Sequence, residues 1–161
     1  MNWAHLHLLL NHVPVLGTIF GLALLGYGIA NRSDALQKAA FGVFVAAALL
    51  ALPVYFTGEP AEQVVEHAAG VSTGAIDAHE DSAMISVIAI ALLGAVALGG
   101  LWVARRGRPL SAKVTGAVVV VALATAVLMA RTANLGGQIH HPEIRAGAQG
   151  PATEQAEDEG H

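Results

Sequence analysis

Four stretches of the chain hold no Asp, Glu, Lys, Arg or His: Val13–Ala30, Ala39–Thr57, Ser82–Ala104 and Val114–Ala130. Each falls in the range of roughly 17–25 residues that a helix rising about 1.5 Å per residue needs to cross about 30 Å of hydrocarbon. A helix on the surface of a soluble bundle carries a polar stripe along one side. These segments are apolar around their whole circumference, so lipid is their natural solvent. Four such helices within 161 residues leave too little chain to cover them in water. Charged residues make up 12% of the sequence, against roughly 25% in soluble domains, and the deficit lies in these four stretches. A segment crossing hydrocarbon must satisfy its own backbone hydrogen bonds, which favours helices. The expected fold is all-α: a four-transmembrane-helix bundle over residues 1–145, followed by a disordered acidic tail over 146–161.

Loop charges orient the bundle. Arg32 and Lys38 lie between the first two stretches, and Arg105, Arg106, Arg108 and Lys113 between the last two; the opposite side holds only Arg131 and Arg145. Lys and Arg concentrate in short cytoplasmic loops. The expectation is therefore a multi-pass protein of a bacterial inner membrane with both termini on the periplasmic side. No Lys or Arg precedes the first apolar stretch, unlike a secretory signal, so that stretch is expected to persist in the mature protein. There is no cysteine, which excludes structural disulfides, cysteine-held iron–sulfur clusters, thiolate zinc sites and covalently attached haem c.

Within the spans, small residues recur every four positions: Gly17 and Gly21, then Ala91, Ala95 and Gly99, then Ala122, Ala126 and Ala130. Such spacing lets helices approach closely in lipid. The outer segment Glu59–Gly70 predicts a short interfacial helix, with Pro60 in its first turn and Gly70 closing it. Asp77-Ala78-His79-Glu80 predicts the start of the third long helix, and Gly136-Gly137 the end of the fourth. The two halves share a weak echo, each with a histidine at the outer start of its first helix (His12, His79).

All eight histidines, His5, His7, His12, His67, His79, His140, His141 and His161, fall on the outer side. That side also holds most of the non-membrane residues, which accounts for part of the bias. Position is more informative. His12 and His79 stand at matching depth on two inward-running helices and form the leading ligand pair; His5, His7, His67, His140, His141 and Glu80 are secondary candidates. Neutral imidazole is the commonest metal ligand. Two imidazoles facing across a bundle suit a b-type haem, with Arg131 and Arg145 as propionate partners. A subset of His67, His79, His140, His141 and Glu80 instead suits a Cu, Zn or Fe ion. A histidine at a membrane interface can also simply bridge headgroups and water.

The opening His7-Leu8-Leu9-Leu10-Asn11-His12-Val13-Pro14-Val15 resembles the start of the DUF2231 family of small four-helix bacterial membrane proteins, which read His-Pro-x-x-Val-His-Phe-Pro-Ile. Leu135-Gly136-Gly137-Gln138-Ile139-His140-His141 is similar to that family's closing Gly-Gly-x-x-x-x-His turn, and Gly58–Glu62 through His79-Glu80 to its outer loop. Leu8 and Val13 depart from the pattern, replacing Pro and Phe. The resemblance implies a four-helix membrane fold. Some members are fused to Rieske iron–sulfur domains, which implies redox work by association.

No charged residue lies within the spans, whereas proton relays and voltage sensors depend on one. No phosphate-binding glycine loop, Gly-x-Ser-x-Gly elbow or His-Glu-x-x-His zinc helix is present; Ala83 stands where the second zinc histidine would be. The basic clusters are too small for nucleic acid. Three functions fit: a haem b electron-transfer subunit linking quinone to a periplasmic redox protein, a transition-metal-binding membrane protein, or a cofactor-free subunit of a larger membrane complex. Enzymatic chemistry by the chain alone is the least favoured.

Overall fold

The computed structural model describes residues 2–66, 71–105, 108–141 and 144. These form α1 (Trp3–Leu10), α2 (His12–Ala30), α3 (Asp34–Val65), α4 (Thr73–Ala104) and α5 (Ala112–His140). There is no strand among them. The Asn11 amide still bonds to His7 O at 2.9 Å, so α1 and α2 run on as one rod. With α3, α4 and α5 that makes four rods, each long and apolar enough to cross a membrane. The surface agrees: Phe56 and Val127 are each 70% exposed, while Thr18 and Thr125 are fully buried. In water that arrangement would expose large apolar patches; in a bilayer it is the expected one.

Each rod starts on a short polar side chain that caps an otherwise unpaired backbone amide. Asn2 accepts from His5 N at 2.9 Å. Ser33, Ser72 and Ser111 accept from Leu36 N, Ala75 N and Val114 N, each at 3.3 Å. The rods connect up-down-up-down. Neighbours in sequence pack together, α5 returns to α2, and α1 lies chiefly against α3. One end of the bundle, the basic end, holds the α2–α3 and α4–α5 connections. The other, the histidine end, holds α1, the α3–α4 connection and the end of α5.

The basic end is stitched by polar contacts. Arg32 takes a left-handed φ of 51°, and Ser33 N bonds back to Gly28 O at 2.8 Å, closing α2 in the manner usual for a glycine. Lys38 pairs with Asp34, which also accepts from Leu110 N at 3.3 Å. Thr115 Oγ1 donates to Gln37 Oε1 at 3.2 Å.

Three sequence-based expectations change. The helix expected over Glu59–Gly70 is not separate: α3 continues through Pro53 and Pro60 to Val65, and residues 67–70 lie outside the described set. The third rod begins at Thr73, because Ser72 caps it ahead of the Asp77 pattern. The fourth rod passes through Gly136-Gly137 to His140; glycine permits a helix end without forcing one.

The small-residue stripes divide in the same way. Gly21 is buried and packs so tightly on Phe44 that any Cβ there would collide with the ring. Ala91, Ala95 and Gly99 are exposed instead. The face of α4 that enters the bundle is Ile90, Leu93, Gly94, Ala97 and Gly100, one residue out of phase with the expected stripe. A Cβ at Gly94 would lie 2.5 Å from Ala48 Cβ, and one at Gly100 2.6 Å from Phe41 Cε2. Phe41, Phe44, Leu25, Leu93 and Val118 fill the core that results.

Gly94→Leu is expected to destabilise the bundle by about 1–3 kcal/mol or more through overpacking, read as a lower midpoint of thermal unfolding in detergent. Gly26→Leu, where nothing lies within 4 Å, is expected to leave the midpoint unchanged. Equal effects of the two would contradict the helix faces described.

Candidate functional site

The core changes character along the bundle. Towards the basic end it is Phe, Leu, Val and Ala. Towards the histidine end it passes through Ala47, Ala51, Ile90 and Met129 into a layer of hydroxyls and imidazoles.

His7, half-buried on α1, turns towards α3. Its Nδ1 lies 3.1 Å from Val54 O and 3.1 Å from Thr57 Oγ1. The carbonyl can only accept, so the proton sits on Nδ1. Thr57 in turn contacts Pro53 O and Val54 O at 2.9 Å, the hydroxyl–backbone bond common in helices.

His79, half-buried on α4, turns towards α5. Its Nδ1 donates to Thr132 O at 3.0 Å. Gly136, one turn further along α5, leaves room for the ring: a Cβ there would stand 3.1 Å from His79 Cε1 and Nδ1. Beneath it, Thr132 Oγ1 joins Ser82 Oγ at 2.7 Å and Ser86 Oγ at 2.9 Å and donates to Leu128 O at 3.1 Å. Thr132 spends its one proton on Leu128, so both serines donate to it, and each hydroxyl is satisfied.

His7 and His79 lie within electrostatic reach of one another. They therefore present two imidazoles from different rods, each with Nδ1–H committed to a backbone carbonyl. In neutral imidazole the other nitrogen, Nε2, then carries the lone pair. A ligand histidine is oriented by the same kind of backbone bond. At the same end Glu62 of α3 lies close to Glu80 and Asp77 of α4, and the Glu80 carboxyl holds the Glu62 carboxyl above its usual range.

The other candidates are more dispersed. His12 is exposed, and its Nδ1 bonds to Leu8 O at 2.9 Å on its own rod. His5, His140 and His141 are exposed at rod ends, and Arg131 is exposed on α5 next to Thr132. His67 and Arg145 lie outside the described residues. Among the described residues no three of His, Asp or Glu stand together in a way that holds a metal ion.

Ser82, Ser86, Thr132 and Thr57 were not singled out from sequence, because they sit inside or beside charge-free stretches. A signal was present. Ser82 and Ser86 fall three and seven residues after His79, on the same helix face.

The fold and site thus define a multi-pass four-helix membrane protein with a layer of hydroxyls and imidazoles at one end. No protein-family model, curated protein or solved structure matches the chain.

Thr132→Val removes the shared partner of two buried serines. It is expected to lower stability by about 1–2 kcal/mol, measured by thermal unfolding in detergent. Thr125→Val, whose hydroxyl bonds only to Val121 O on its own helix, is expected to have a smaller effect. A loss at residue 132 no greater than at residue 125 would count against the network.

Proposed function

We propose that the chain is a redox subunit that holds a b-type haem at its histidine end through His7 and His79, and passes electrons between quinone and a redox protein outside the membrane. The observation that carries this reading is two imidazoles on different rods, within electrostatic reach of one another and both with the tautomer that leaves Nε2 as the donor nitrogen. Two axial imidazoles meet the needs of a haem, whereas a bare Cu, Zn or Fe ion needs further ligands that the described residues do not bring together. Bound there, a haem would supply one-electron chemistry. The chain's own residues do the rest: Val54 and Thr132 fix the ring orientations, Gly136 makes room for the His79 ring, and Arg131 offers a charge for a propionate. The resemblance to DUF2231 proteins, with their Rieske fusions, points the same way. His12 is the other histidine that this reading must exclude as an axial ligand.

The test is a visible spectrum of protein expressed with haem supplied, oxidised and reduced, with a total-metal assay. A Soret band is expected that is lost or shifted in His7→Ala and His79→Ala and kept in His12→Ala and His140→Ala. Absence of the band in the wild type would sink the haem reading; a stoichiometric metal in its place would favour the ion-binding alternative, and neither would leave a structural subunit. A band lost in His12→Ala and kept in His7→Ala would move the ligand to His12.

We further propose that the histidine end faces the periplasm, on the strength of the loop charges. The cysteine-free chain makes this testable by single introduced cysteines. Ser72→Cys is expected to react with a membrane-impermeant maleimide in intact spheroplasts, and Ser33→Cys only after lysis. The reverse pattern would invert the topology.

A further inference from the structure

The outward-facing stripe on α4 does not pack inside the bundle. A Cβ at Gly99 would meet nothing within 4 Å. Between Leu98 and Trp102, which are 54% and 56% exposed, the small residues Ala95 and Gly99 leave a shallow groove of about 450 Å³ that ends at Arg105. From Ala95 to Arg105 it runs roughly 15 Å, ten residues of helix, about half the hydrocarbon thickness and hence the depth of one leaflet. A second groove of about 340 Å³ lies between α4 and the start of α5, lined by Gly100, Val103 and Val114, and holds Arg108.

Charge decides what suits these grooves. Arg105 and Arg108 are exposed, and neither pairs with a carboxylate among the described residues. The only acid described at this end, Asp34, is engaged with Lys38 and the Leu110 amide. Arg32 and Lys113 add to the positive field. Trp102 stands one turn from Arg105, the arrangement of an aromatic side chain at headgroup level beside a cation that reaches past it.

We infer that the basic end of α4 is a binding site for an anionic phospholipid, with an acyl chain in the Ala95–Gly99 groove and the headgroup phosphate on Arg105 and Arg108. This site is independent of the haem reading and lies at the opposite end of the molecule. An apolar groove alone accepts any lipid; the Arg105 guanidinium at its mouth, with Arg108 in the neighbouring groove, selects an anionic one.

The experiment is native mass spectrometry of the full chain in neutral detergent, titrated with phosphatidylglycerol or with phosphatidylcholine of identical acyl chains. Phosphatidylglycerol adducts are expected to exceed phosphatidylcholine adducts by about fivefold or more. Arg105→Gln with Arg108→Gln is expected to bring the two lipids level. Arg32→Gln, in the other turn of the same end, is expected to keep the preference. Gly99→Leu retains every charge and fills open space, so it is expected to leave thermal unfolding unchanged while weakening retention of both lipids severalfold. This variant tests the groove even if the double arginine variant does not fold. Equal retention of the two lipids by the wild type, a loss of preference in Arg32→Gln equal to that in the double variant, or full lipid retention by Gly99→Leu would each overturn the site.

Discussion

Close steric fit between helix stretches that carry no charge is the constraint on which this structure depends. In water, apolar faces would bring the rods together by excluding solvent. In lipid that drive is absent, because the tails are as apolar as leucine, and association rests on packing and on interhelical hydrogen bonds. Gly21 against Phe44, Gly94 against Ala48 and Gly100 against Phe41 supply the packing. The hydrogen bonds are few: Thr115 to Gln37, Gln37 to Gly28 and Leu110 to Asp34 at the basic end, Thr18 to Met129 within the core, and His7 to α3 and His79 and the serines to α5 at the other end.

That division explains why a polar site forms where it does. In the apolar part of the core an unpaired hydroxyl or imidazole would be heavily penalised. At the histidine end each buried polar side chain among the described residues has a partner. Thr132 serves two serines and supplies its own carbonyl to His79; Thr57 bonds within its helix and meets His7. No buried side-chain nitrogen or oxygen among the described residues is left without a hydrogen bond. A layer satisfied in this way fixes the rotation of α4 against α5 and of α1 against α3. The same rotation sends Ala91, Ala95 and Gly99 outward and opens the groove at the basic end. The proposed haem site and the proposed lipid site thus follow from one packing choice in α4.

Much of the fold was legible in the residues. The charge-free runs set the number of rods; the serine caps Ser33, Ser72 and Ser111 emerge only from the structure, which starts the third rod ahead of the Asp77 pattern. The glycine signals were over-read. Gly136 lies within α5, where its missing side chain makes room for His79. Pro60 is likewise carried inside α3. Local signals of this kind name what a position tolerates, and the neighbouring rod decides how that tolerance is used.

The sequence by itself determined the solvent, the all-α class, four rods and the segregation of histidines and basic residues to opposite ends, because each follows from composition along a single helix. Only the tertiary structure decided that His7 turns to α3 and His79 to α5, and that the α4 face entering the bundle is one residue out of phase with the small-residue stripe. The physical reason is rotational. An apolar helix has no polar side to reveal which way it faces, so its orientation is settled by fit against its neighbours, and a pairing between side chains on different rods depends on that fit.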